Sequence, residues 1–86
     1  MIPVALEHLG VALCRAGKAK EALVYFNRAD ELSEPCARLH HNRGVAYTML
    51  GNYEVASLDF KMALILEPLR KDSAEHLRLV ERKMRE

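Results

Sequence analysis

The chain has 86 residues, half of them apolar and 29% charged, and its 13 basic and 12 acidic side chains leave a net charge of +1. One small domain with a thin core, spanning 1–86, is expected at that length. A balance this close to neutral gives no reason to expect nucleic acid or an anionic membrane as partner, and the longest apolar run, Met62 to Leu66, is far too short to span a bilayer.

Taken in chain order, the punctuation predicts five helices. Pro3 suits a first helical turn, so helix is expected from about Pro3 to Ala16, where Gly17 stops it. A second helix follows from about Lys18 to Leu32 and ends at Ser33-Glu34-Pro35. The third runs from about Cys36 to Leu50, ahead of the turn at Gly51-Asn52, and the fourth from Tyr53 to Leu66, closed by Pro68. The fifth is expected from Asp72 to Arg85, with Asp72 and Glu75 opening it in a capping-box-like pair. Leu77, Val80 and Met84 give that helix one buried stripe, and Arg78, Glu81, Arg82, Lys83 and Arg85 cover its wet side. Interleaved glutamates make this a solvated capping face rather than a nucleic-acid arm.

Cys14 and Cys36 lack a Cys-x-x-Cys spacing and are too few for a disulfide scaffold, so both read as free thiols in a reducing compartment. The N-terminus shows no basic segment with a long apolar core, as a secretory leader would have. The expectation is a soluble, cytoplasmic protein.

Offsetting the chain by 34 residues aligns Gly10 with Gly44, Val11 with Val45, Ala12 with Ala46 and Gly17 with Gly51. It also aligns Ala22 with Ala56, Phe26 with Phe60, Ala29 with Ala63 and Leu32 with Leu66, eight identities in the 32 pairs from Pro3/Ala37 to Glu34/Pro68. Self-similarity at this period marks a stacked repeat. The small residues suit close helix approach, and Phe26 and Phe60 fill the space beside them.

These residues resemble the tetratricopeptide repeat (TPR). Gly44, Ala46, Tyr47, Gly51, Tyr53, Ala56, Phe60, Ala63 and Pro68 match its signature in the second unit; Leu6, Leu9, Gly10, Gly17, Ala22, Phe26 and Ala29 match it in the first. The first unit departs at Leu13 and Ala19, where aromatics are usual, and Pro35 comes one residue late. The resemblance implies an all-α fold, with antiparallel helix-turn-helix pairs stacked as a short right-handed superhelix of five helices. Repeat 1 would cover about 3–36, repeat 2 about 37–70 and a capping helix about 71–86. It further implies a non-catalytic adaptor or scaffold that binds a peptide or protein segment in a concave groove.

Helical spacing divides the polar run His40-His41-Asn42-Arg43 between faces. His40 joins Gly44 and Tyr47 on what the resemblance makes the packing side, as a hydrogen-bonded core histidine. The resemblance puts Val4, Glu7, Val11, Cys14 and Arg15 on the groove side of the first helix. It puts Arg38, His41, Val45, Thr48 and Met49 there on the third, and Asp72, Glu75, Leu79, Arg82 and Lys83 on the fifth. At 34-residue steps these form rows: Val11, Val45 and Leu79; Glu7, His41 and Glu75; and His8, Asn42 and His76 at the edge. The expected peptide-binding set is Glu7, Val11, Arg38, His41, Asn42, Val45, Met49, Leu79 and Arg82, with the pKa of His41 expected to be raised by the two carboxylates beside it. The alternative is a self-associating unit or a segment of a longer TPR array, its groove covered by a neighbouring chain.

Other chemistries lack their parts. His40 and His41 are adjacent and point apart, and His8 and His76 stand two helix-pair steps apart, so no metal site is expected. The four glycines are dispersed rather than gathered in a phosphate loop, and Cys14 and His41 lie on different helices without an orienting partner. Neither an enzyme nor a cofactor is therefore expected. A chaperone C-terminal carboxylate tail is excluded as partner. At the five clamp positions the resemblance puts Glu7, Val11, Asn42, Asp72 and His76, of which only Asn42 agrees, and Glu7 and Asp72 would repel the tail.

Overall fold

The computed structural model describes residues 2–86, which form five helices: α1 (Pro3–Arg15), α2 (Ala19–Leu32), α3 (Ala37–Met49), α4 (Tyr53–Leu66) and α5 (Lys71–Arg85). Every boundary falls within one residue of its sequence expectation. Among the described residues there is no strand, and the architecture is all-α.

The two hairpin turns use one device. Gly17 and Gly51 sit at φ +79° and +78°, the left-handed region where a side chain is strained. Gly17 N–H donates to the Cys14 carbonyl at 3.0 Å and Lys18 N–H to that of Leu13 at 2.8 Å; Gly51 and Asn52 donate likewise to Thr48 and Tyr47 at 3.0 and 2.9 Å. These reach-back bonds satisfy carbonyls orphaned at the ends of α1 and α3 and reverse the chain. The start of α5 differs from expectation. Its N-cap is Arg70, without a side-chain cap, and Asp72 already lies inside the first turn, where its Oδ1 accepts from Ser73 N–H at 2.7 Å. The Asp72–Glu75 capping box is therefore not made, because Lys71 enters the helix first and Asp72 is engaged by Arg70 and His41.

Packing follows the hairpins. α1 lies against α2, α3 against α4, and α5 completes the stack on α4, while α2 meets α3 at the hairpin junction. The two outer helices, α2 and α4, do not touch each other. An extent of 39 × 27 × 17 Å fits a slab two helices thick. Phe26 and Phe60 are fully buried at the centre of the two hairpins, each against a glycine of the facing helix. A Cβ at Gly10 would stand 2.5 Å from the Phe26 ring, and one at Gly44 would stand 2.8 Å from the Phe60 ring. Leu6, Leu39 and the alanines Ala19, Ala22, Ala29 and Ala46 close the first core; Val80 of α5 joins Ala56 and Phe60 in the second. The α5 stripe is buried at Val80 and half-buried at Leu77, but Met84 lies out in solvent.

Candidate functional site: the cleft between α1 and α3

Side chains of α1 and α3 bound a cleft of about 300 Å³ lined by Glu7, His8, Val11, Ala12, Arg15, Arg38 and Asn42. A smaller recess of about 150 Å³ opens beside it, with Phe26 as floor and Val11, Cys14 and Val45 as apolar walls. Arg15 and Asn42 border both.

The polar groups of the cleft are not equivalent. Glu7 is almost fully buried, and Arg38 grips it with a bidentate pair, Nε to Oε1 at 3.0 Å and a terminal nitrogen to Oε2 at 3.4 Å. That hydrogen bond and the Glu7 charge raise the Arg38 pKa further, so the guanidinium stays charged. The pair cancels its own charge and ties α1 to α3. Arg15, exposed at the rim, has no ion-pair partner among the described residues, and the half-buried Asn42 amide faces the same space. Burial pushes the Cys14 thiol up, which keeps it protonated; Cys14 and Cys36 are both free.

Four of the nine expected binding residues, Glu7, Val11, Arg38 and Asn42, line the larger cleft, and Val45 lines the recess. Met49, Leu79 and Arg82 are exposed but stand outside both. Ala12 and Phe26 lie outside the sequence expectation; a helical alanine beside a cleft and a fully buried core ring beneath a recess carry no distinguishing sequence signal.

His41 is a correction. It is only 7% exposed and points into the α3–α5 junction, not into the groove. Its Nδ1 lies 2.9 Å from Ser73 Oγ and its Nε2 3.5 Å from Asp72 Oδ2. The ring meets His76 edge-on at 4.9 Å and packs 5.4 Å from Phe60. Burial, with the nearby His76 and Arg70, lowers its pKa against the opposing pull of Asp72. The expected raised pKa between Glu7 and Glu75 is not found, since Glu7 is held by Arg38 and Asp72, not Glu75, is the carboxylate beside His41. His76 likewise leaves the edge row to pack on His41 and Phe60. The physical reason is stagger: facing residues of neighbouring hairpins are 31 and 32 apart (Glu7–Arg38, His41–Ser73), not the 34 of the repeat. One signal was present in the sequence. Ser73 is in phase with Leu77 and Val80 on the buried stripe, and a buried hydroxyl needs a partner.

The rest of the polar run is a brace. His40 Nδ1 is 3.1 Å from Asp59 Oδ1, both buried. Arg43 donates to Asp59 of α4 at 2.8 and 3.0 Å and reaches Asn27 and Asp30 of α2 at 3.2 and 3.3 Å. Among the described residues no group of three His, Cys, Asp or Glu side chains gathers as a metal would require.

No family model matches the chain, and no curated protein matches it. Among solved structures, the chain superposes on the NMR structure of the first TPR domain of the human RPAP3 protein with a TM-score of 0.92 over 95% of its length, at 27% identity. The chain has the tetratricopeptide-repeat fold. Its TPR helices span 65% of the length of that RPAP3 domain. The TPR fold is a protein-interaction fold without catalysis of its own, and the Gly10–Phe26 and Gly44–Phe60 pairs are its hairpin contacts in this chain. No TPR helix among the described residues is long and apolar enough to cross a membrane.

Proposed function

We propose that this TPR unit, with repeats at about 3–36 and 37–70 and a capping helix at 71–86, is a cytoplasmic, non-catalytic adaptor. Its α1–α3 cleft binds an extended segment of another protein. The observation that carries the reading is the contrast inside the cleft. An apolar recess over Phe26 is bordered by a partnerless Arg15 and the Asn42 amide, while Glu7 and Arg38 are already satisfied. A segment with an apolar side chain for the recess and a carboxylate for Arg15 fits that arrangement, with Asn42 pairing to its backbone. With Glu7, Val11, Asp72 and His76 at four of the five clamp positions, the cations that would grip a chaperone carboxylate tail are missing, so that tail is not the proposed partner.

The experiment is selection from a random peptide library, followed by affinity measurement. Selected peptides should carry an aliphatic or aromatic residue close to Asp or Glu. Both Arg15→Glu and Ala12→Trp, at exposed positions, should weaken them about tenfold or more, a loss of about 1.4 kcal/mol. Retained affinity in both variants would move the binding surface elsewhere. A second reading, a segment of a longer TPR array, draws on Leu79, whose side chain on α5 is 51% exposed on the inner face as if awaiting a neighbour.

A further inference from the structure

The cleft holds two arginines in unequal states. Arg38 and Glu7 close one end of it as a pair, while Arg15 stands eight residues beyond Glu7 on α1, about 12 Å further along the helix. The apolar recess belongs to the Arg15 end: Arg15, Cys14, Val11 and Val45 border it, and neither Glu7 nor Arg38 does. An apolar side chain seated there has an unpaired guanidinium on one flank and the closed pair on the other.

The two members of the pair depend on each other unequally. The Glu7 side chain is 5% exposed and that of Arg38 is 53% exposed. Among the described residues no side chain other than Arg38 donates to the Glu7 carboxylate. Water can take the place of Glu7 beside Arg38, but it cannot take the place of Arg38 beside Glu7. A ligand carboxylate that drew Arg38 away would strand a buried anion, the costlier of the two losses. It would also meet the charge of Glu67, which acts on Arg38 after that of Glu7. Arg38 is therefore a cation at the cleft that is closed to an acidic ligand.

Resting on the cleft reading above, we propose that Glu7 sets the specificity of the site by withholding Arg38. The bound segment carries its acidic residue on the Arg15 side of the apolar anchor. A second acid on the far side of the anchor, about four residues from the first in an extended chain, is rejected. Glu7 acts here through Arg38, as a positioning residue. Removing its charge and keeping its shape converts a cleft with one open cation into a cleft with two. A pair that only tied α1 to α3 would behave differently: breaking it would weaken all ligands alike.

The test takes each peptide from the library selection and a version carrying a second Glu about four residues from the first, beyond the anchor. By calorimetric titration the wild type should bind the second version no more tightly. Glu7→Gln should favour it about tenfold, and Glu7→Gln combined with Arg38→Gln should lose that gain, with circular dichroism unchanged throughout. A wild type that already prefers two acids overturns the proposal, as does a Glu7→Gln variant that weakens both versions equally. A second readout needs no peptide. With acetate as the probe, NMR of the arginine Nε–H groups should show Arg15 alone responding in the wild type and both arginines responding in Glu7→Gln. A library that yields no apolar–acidic peptides overturns the adaptor reading, whereas an Arg38 that responds to acetate in the wild type overturns the withholding itself.

Discussion

His41 makes the α3–α5 junction sensitive to acid. The groups facing it are Asp72, Ser73 and His76 of α5, Arg70 just before that helix, and Phe60 of α4. Of these only Asp72 favours a charged imidazole. Because the folded pKa is lowered, the unfolded chain binds the proton more readily. The stability His41 contributes is thus complete above the unfolded value of about 6.5 and is lost as pH falls below it toward the folded pKa. Asp72 behaves as a carboxylate held low: burial raises it, but His41, the Ser73 N–H and Arg70 together prevail, so its share is lost only at more acid pH. An NMR titration should place His41 below about 6.5, and the melting temperature should fall between pH 7 and pH 5. His41→Phe with Ser73→Ala should flatten that slope. A titration midpoint at or above the model-peptide value contradicts this account.

At the scale of the helix pair, one glycine fits its phenylalanine more closely than the other, and two turn glycines meet nothing. Gly10→Ala should therefore cost more than Gly44→Ala, each about 1–3 kcal/mol by overpacking, because the clash at Phe26 is closer by 0.3 Å (2.5 against 2.8 Å). Gly17→Ala has open space but a left-handed backbone, so its cost of about 1–2 kcal/mol comes from φ alone. Phe60→Ala should exceed all three at about 3–5 kcal/mol. Urea unfolding ranks them, and equal midpoints for Gly10→Ala and wild type would refute the close contact. This level was the legible one. Helical period, glycine stops and the paired Gly–Phe positions are local in sequence, and they place each helix to within a residue. The contact between hairpins was not legible. It depends on how α1, α3 and α5 slide past one another, and a shift of two or three residues replaced the expected Glu7–His41–Glu75 row with Glu7–Arg38 and His41–Ser73. Val11, Asn42 and Val45 still line the cleft or its recess, while Met49, Leu79 and Arg82 stand outside both.

For the molecule as a whole, Arg43 joins elements that otherwise stay apart. Its planar fork is bidentate to Asp59 on α4 and extends to Asn27 and Asp30 on α2, and these bonds and Coulomb attractions raise its pKa despite burial. Lysine offers a point charge on a flexible stem and cannot hold both sides at once. Arg43→Lys should therefore lower stability by about 1–3 kcal/mol, since a charged hydrogen bond is lost beside a buried carboxylate. Residual dipolar couplings should report a changed angle between the α1–α2 and α3–α4 pairs. Unaltered couplings would show that hairpin packing alone fixes it. That brace has a consequence at a distance. Arg43 stands on α3, one wall of the cleft, and holds it to α2, which packs against α1, the other wall. The separation of the two walls should therefore respond to a side chain that is not among those lining the cleft.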